Sequence, residues 1–410
     1  MTDRPLAGAA DAAFRLDARF FSDPDAVYQE LRRERPVVKV TSPFGFDLWM
    51  VTRYEDVRTA LTEPRLSKNS ARFGEVLRRN GVSGSRRMPF GDALRTHMLN
   101  SDPPDHTRLR KLLSGAFTAR AVARMRPRIE AIATELADGM AAKAPGTVDL
   151  LQEFAYPLPM TVICELLGVP PADRDRFRSW STVLLSSEQS ERRVQSGQAM
   201  EEYLVGLVAA KRASPGEDML SSIVAASDDE DRLSEHEVIS TAFLLLVAGH
   251  ETTVNLIGNG VWQLLRHRDQ LAALQADPSL IQNAVEEFLR IEGPVNLATI
   301  RFTAEPVEIG GQPIPAGDVV LVSLLSANLD PERFNDPADL DVGRDTSGHV
   351  AFGHGIHHCL GAPLARLEGE IAFRTLLQRF PQMTLAATPD PLVWRQSLLM
   401  HGLSALPVAV

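Results

Sequence analysis

Residues Ala351 to Gly361 read AFGHGIHHCLG, with three histidines and a cysteine inside six positions and glycines on either side. A helical pattern, LGAPLARLEGEIAF, follows immediately. No other stretch limits the chain's possible folds so strongly, because most proteins have no reason to set a cysteine in a glycine-rich turn at the mouth of a helix.

Several chemistries compete for that turn. A zinc site wants three or four Cys or His ligands, usually as two separated pairs, and no second pair with ligand spacing occurs elsewhere. A redox C-x-x-C is absent. A nucleophilic thiol needs a base, for which His357 or His358 would serve. An inert buried thiol is also compatible. The remaining reading is one thiolate holding one large cofactor: a haem iron takes four ligands from its porphyrin and needs a single strong axial ligand, for which Cys is one known choice. Gly353 and Gly355 would let the backbone turn sharply against a flat ring, and Gly361 would leave room beside it. The N-terminus of the following helix would aim free N–H groups and a positive dipole end at the sulfur, which favours thiolate over thiol.

The rest of the chain is compatible with a large enclosed group. It has 410 residues, 44% hydrophobic and 23% charged, an ordinary globular composition. DAVYQELRRE, VARMRPRIEAIATELADGMAAK, VQSGQAMEEYLVGLVAAKR and IAFRTLLQRF carry apolar residues at spacings of three and four and predict helices. Strand signals cluster at PVVKV and DLWMVTR, and again at Arg301–Ser323, where Gly310-Gly311 and Pro315-Ala316-Gly317 mark turns. No repeat or low-complexity tract interrupts the chain. We read one domain over 1–410, mainly α with small β-sheets, with residues 1–20 a loosely ordered N-terminal segment. The stretch from about Ser70 to His97 predicts a long loop.

Two helix starts are explicit. Ser234 and Glu237 form a capping-box pattern, and the helix should run to about Arg266, some 50 Å at about 1.5 Å per residue. Ser279 and Gln282 suggest a second start, for a helix that ends near Ile291 and carries EEFLR. AGHETT, Ala248–Thr253, puts a glycine and two threonines in the middle of the first helix, a local weakness. Cys164, in MTVICELLGV, reads as core filler.

The net charge of −10 argues against nucleic acid as main partner. The longest apolar run, Ala242–Ala248, is far below the ~18 residues of a membrane span, so no membrane anchor is expected. The start shows no basic region followed by an apolar run, so no signal peptide is expected. With only two cysteines, a reducing, cytoplasmic location is expected.

Phe352, Gly353, Gly355, His357, Cys359 and Gly361 together resemble F-G-x-G-x-H-x-C-x-G, the signature of the cytochromes P-450, the haem-thiolate monooxygenases. Glu287 and Arg290 resemble the family's E-x-x-R helix, AGHETT its oxygen-activating helix, and DPPDHTRLRKLLSGAFT its haem-edge helix in soluble bacterial members. The resemblance runs from about Phe20 to the end. It implies a single-domain cytochrome P-450 fold with the haem, haem b (iron protoporphyrin IX), between the long central helix and the cysteine loop. It implies Cys359 as the iron ligand and His106, Arg110, Arg301 and His357 as contacts of the two propionates. Phe352, Gly353, Gly361 and Ala248 would line the haem. It also implies a second arginine closing Glu287–Arg290 into a structural triad. Arg333 is one candidate, but Arg344 has the better offset.

In this reading Thr252 hydrogen-bonds the bound oxygen and Glu251 relays protons from solvent, with the helix opening at Gly249 to admit a water. The alternative is that Thr252 back-bonds to a carbonyl and Glu251 is solvated. His250 is read as a helix-surface residue. No dinucleotide fingerprint is present, so a separate ferredoxin and its NAD(P)H-dependent reductase are implied, with Arg108, Lys111 and Arg366 as a docking patch. The pocket walls are expected from Ser70–Leu99, Arg176–Glu191, Thr241–Ala248, Val295–Thr299 and Ser397–Leu403, and they are mostly apolar. They imply a hydrophobic small-molecule substrate, by resemblance a macrolide or other natural product, oxidised with O2 by a monomer. A peroxygenase, an oxidative coupling enzyme and a haem-based sensor are the competing functions.

Overall fold

The structure, a computed structural model, describes residues 14–42, 45–79, 94–185, 191–227, 233–387 and 391–410. Its axis is one α-helix, Glu235–Arg266, capped by the Ser234–Glu237 box in both directions: Ser234 Oγ accepts from the Glu237 N–H at 3.3 Å, and Glu237 Oε2 from the Ser234 N–H at 2.7 Å. Helices Pro157–Leu167, Glu191–Ala213, Ile281–Ile291 and Ala362–Arg379 pack round it. Between Glu237 and Val261 every residue is buried except Val247, Ala248, Gly249 and Thr252. A helix that is apolar nearly all round must be a core element, so these exceptions mark where the core opens.

The central helix does not break at AGHETT. It is α-helical throughout, and Gly249 has a packing reason: a Cβ there would stand 2.8 Å from Ile163 Cδ1 of the neighbouring helix. The second expected start also differs in detail. Asp277 takes the cap, accepting from the Ser279 N–H at 3.0 Å and its hydroxyl at 2.6 Å, and a 3-10 turn precedes the helix Ile281–Ile291. A charged acceptor outcompetes the Ser279 hydroxyl. Gln282 reaches instead to Glu370. Cys164 is core filler as read, fully buried, and burial pushes its thiol up to about 12.

A six-stranded mixed sheet flanks the helices, in the order Phe14–Arg15, Val37–Thr41, Asp47–Val51, Val319–Val322, Arg301–Thr303, Leu66–Ser67. From Phe14 onward the N-terminal segment is part of the fold: Phe14 pairs with Val40 and Phe20 is buried. Ser70–Arg79, read as loop, is helical, while 80–93 lies outside the described residues. The pairing of Ser67 with Phe302 places Lys68 beside Arg301. Two short strand sets, Thr147–Asp149 with Pro407–Ala409 and Thr384–Leu385, and the hairpin Val307–Ile309/Gln312–Ile314, complete the sheets.

Candidate active site

The cysteine turn is held from within. The Cys359 N–H donates to the Phe352 carbonyl at 2.9 Å and the Gly353 N–H to Val350 at 2.8 Å. Gly353 and Gly355 take φ of +72° and +75°, a region that costs other residues strain. Gly361 is the N-cap of the helix Ala362–Arg379, and a Cβ on it would lie 3.9 Å from Cys359 Sγ. The Cys359 side chain is accessible, yet protein surrounds it closely enough to set its electrostatics. Burial pushes the thiol up, against the N–H groups of Gly361 and Ala362 and the charges of Arg110 and Arg366, which favour the thiolate. Arg366 also lies 4.6 Å over the Phe352 ring.

The expected propionate residues are brought together. The His106 and His357 rings lie 4.3 Å apart. Burial, together with the charges of Lys68, Arg301 and Arg110 and the neighbouring His106, drives His357 down to about 2. Arg301 is buried and lowered to about 10. Two further side chains, given no role by the sequence, lie beside this cluster. Lys68 is buried with its Nζ on Thr299 Oγ1 at 2.6 Å, and His97 is buried and lowered to about 3 by burial and by Lys68. Among the described residues Asp102 offsets these charges, and its carboxylate already accepts from Ser67 Oγ and the Lys68 N–H. His106 Nε2 and His97 Nδ1 are buried without hydrogen-bond partners. Lys68 carries no helix or motif signal; strand pairing alone puts it here.

On the central helix, Ala248 is exposed and Thr252, one turn on, shares its face. The Thr252 hydroxyl donates to the Ala248 carbonyl at 2.9 Å. Glu251 is buried rather than solvated, and its Oε1 is ion-paired with Arg395. His250 is not on the helix surface but 1% exposed, in contact with Ser181. It packs against the neighbouring helix Arg174–Leu185, which no helix-surface reading could foresee.

The E-x-x-R pair closes as a bidentate bond, Arg290 Nε and Nη2 to Glu287 at 2.7 and 2.8 Å, both side chains fully buried. Arg344 completes the triad through Nε at 3.1 Å. Arg333 instead lies 5.5 Å over the Tyr54 ring. Of the three expected docking charges, Arg108 is paired with Glu237 at 2.5 Å and Arg366 with Glu286 at 2.6 and 2.9 Å, while Lys111 is exposed. Among the expected walls, Val295 bridges to Met400 and Ser397 Oγ donates to the Leu185 carbonyl; residues 186–190 lie outside the described set. Among the described residues no group of three His, Cys, Asp or Glu side chains is arranged to hold a metal ion, and no helix is long and apolar enough to cross a membrane.

The cytochrome P450 family model matches residues 173–404. Over 393 residues, 96% of each chain, the sequence is 53% identical to cytochrome P450 107B1 of Saccharopolyspora erythraea. The chain belongs to the cytochrome P450 family. The P450 is also 48% identical to the monooxygenase PikC of Streptomyces venezuelae, covering 96% of this chain and 92% of that one. It superposes on the tirandamycin C-bound P450 monooxygenase TamI with a TM-score of 0.90 at 50% identity, covering 96% and 99% of the two chains. It is therefore a cytochrome P450 monooxygenase, of a family that works with a haem iron.

The residues present fit that group. A thiol faced by two N–H donors suits an iron ligand. A cation cluster with one carboxylate and two orphaned imidazole nitrogens suits the propionates.

Proposed function

We propose that Cys359 supplies the axial thiolate to haem b, and that the enzyme inserts one atom of O2 into a C–H or C=C bond of a hydrophobic secondary metabolite. Lys68, His97, His106, Arg110, Arg301 and His357 would hold the propionates, and Phe352, Gly353, Gly361 and Ala248 would border the ring. The observation that carries the reading is the Cys359 thiol facing the Gly361 and Ala362 N–H groups at the head of a helix. When bound, the haem supplies the redox chemistry that activates dioxygen.

The chain's own part is binding and proton management. Thr252 keeps its hydroxyl hydrogen on Ala248 until a better acceptor arrives on the open face of the helix. Glu251, next in sequence, is the acid that restores Thr252's proton. Its ion pair with Arg395 holds its carboxylate at rest, so delivery requires it to turn away from Arg395. Electrons come from a ferredoxin fed by an NAD(P)H-dependent reductase. Exposed Lys111 and Leu112, on the helix whose His106 abuts the cysteine turn, together with exposed Ile356 of that turn, offer a docking face.

The reading is tested by the CO-difference spectrum of the reduced protein. A haem-thiolate band is expected, and Cys359→Ser should abolish it. A Cys359→Ser protein with unchanged spectrum and turnover rejects the ligand. Thr252→Ala should release peroxide at the expense of product; unchanged coupling rejects the relay. Product analysis against a panel of macrolide and polyketide substrates tests the substrate class, and absence of binding to any of them rejects it.

A further inference from the structure

The back of the central helix holds polar groups that the relay from Glu251 to Thr252 leaves without a task. His250 is two residues from both Ala248 and Thr252, hence about 200° round the helix from each. Its Nδ1 lies 2.6 Å from the Leu246 carbonyl, which can only accept. Nδ1 therefore carries the hydrogen, and Nε2 is bare. Ser181 Oγ stands 3.0 Å from Nε2, its alternative acceptor being the Arg178 carbonyl at 3.2 Å. On its other side Nε2 faces Glu251 Oε2 at 3.5 Å. That carboxylate oxygen is buried with no hydrogen-bond partner, while Arg395 holds its twin. Beyond Ser181 comes the buried Tyr156 hydroxyl, which faces Ser181; its ring stands edge-on to His250 at 5.7 Å, under the Arg178 guanidinium at 4.3 Å.

Nε2, which carries no hydrogen and takes only the Ser181 hydroxyl, faces the unpartnered Glu251 Oε2 across 3.5 Å, a place that lacks one proton. A buried oxygen without a partner is costly, and it persists where the group has a use. We infer that His250 is the proton carrier that recharges Glu251, drawing its proton from the Ser181 side. The inference rests on the reading of Glu251 as the relay acid.

The step balances without electrons. The Ser181 O–H bond breaks as an N–H bond forms at Nε2, and Ser181 regains a proton from the hydroxyl or water next in line. The Nε2–H bond then breaks as an O–H bond forms at Glu251 Oε2, leaving a neutral imidazole and a carboxylic acid. The surroundings favour passing the proton on. Burial holds the imidazole below its ordinary range, Arg395 adds to this, and Glu251 and the Leu246 carbonyl oppose it. The other ionisable groups facing this pocket are the Tyr156 phenol, Arg178 and, beside Tyr156, the Cys164 thiol. His250 acts through Glu251 and is a positioning residue.

Two measurements test this. Imidazole 15N NMR of the resting holoenzyme should find the His250 hydrogen on Nδ1; a hydrogen on Nε2 overturns the inference. The second uses oxygen alone, with a plant-type ferredoxin and its reductase as electron source, and reads peroxide per NADPH and the solvent isotope effect on NADPH use. His250→Gln keeps hydrogen bonding but cannot carry a proton. It should raise the peroxide share at least threefold and enlarge the isotope effect, with the CO spectrum intact. Should His250→Gln fail to fold, Ser181→Ala carries the same expectation. Glu251→Gln serves as the reference. If it changes both readouts while His250→Gln and Ser181→Ala change neither, the carrier role is overturned and Glu251 stands; if it changes neither, both fall.

Discussion

Arg395 closes an ion pair onto Glu251 from 144 residues further along the chain. It arrives on a C-terminal hairpin in which Trp394 bridges to Leu403 and stacks on His401 at 4.2 Å. The acid of the central helix is thus held by an element that shares no local sequence with it.

Arg395→Ala leaves a buried carboxylate without its cation, which costs about 3 kcal/mol when the partner is buried. Denaturant unfolding should show that loss, and Glu251→Gln combined with Arg395→Ala should recover part of it. Additive losses would mean that the two side chains do not interact in solution.

Arg290→Ala should cost about 3–5 kcal/mol, because Glu287 would remain fully buried. Arg344→Ala should cost less, about 1–2 kcal/mol, since Glu287 keeps its bidentate partner. Equal losses in chemical denaturation would show that the triad is shared evenly rather than centred on Arg290.

Glu368 lies on the helix that follows the cysteine, fully buried, with Thr253 as its polar neighbour and no cation among the described residues to pair it. Burial raises it from 4.5 to about 8. The folded protein therefore holds a proton that the unfolded chain releases, and folding stability falls as pH rises from about 4.5 to about 8, then levels. Glu368→Gln should flatten that part of the profile by several kcal/mol. A wild-type curve no steeper than the variant's would place the carboxyl at its ordinary range.

Lys68→Met removes a buried cation beside Arg301. If Lys68 grips a propionate, haem transfer to an acceptor globin should quicken about tenfold or more, the equivalent of one charge-assisted bond of about 1.5–3 kcal/mol. An unchanged transfer rate would confine Lys68 to its bond with Thr299.

Much of the site was legible because its signals are local. Glycines on both sides of Cys359, the i,i+3 spacing of Glu287 and Arg290, and Ser234 three residues before Glu237 each specify geometry within one turn. The second arginine is implied by the family resemblance, within which the offset of Arg344 from the cysteine turn favours it over Arg333. His250 was misread because AGHETT says nothing about what packs against it; Ser181, in another helix, makes it interior. Gly249 suggests a helix ready to open, whereas the helix is unbroken and Gly249 makes room for Ile163; Thr252 bonds back to the Ala248 carbonyl, the alternative its sequence setting allowed.

The amino-acid order by itself determined a mainly helical chain, a thiol in a glycine turn at a helix start, and a glutamate and arginine one helical turn apart. Those depend on backbone preferences and spacings that act over a few residues. Only the folded molecule decided which charged groups are buried and what stands beside them: Lys68 next to Arg301 through a strand pair and bonded to Thr299, Glu251 paired with Arg395, Arg108 with Glu237. The cost of desolvating a charge is set by every atom around it, and those atoms come from segments far apart along the chain.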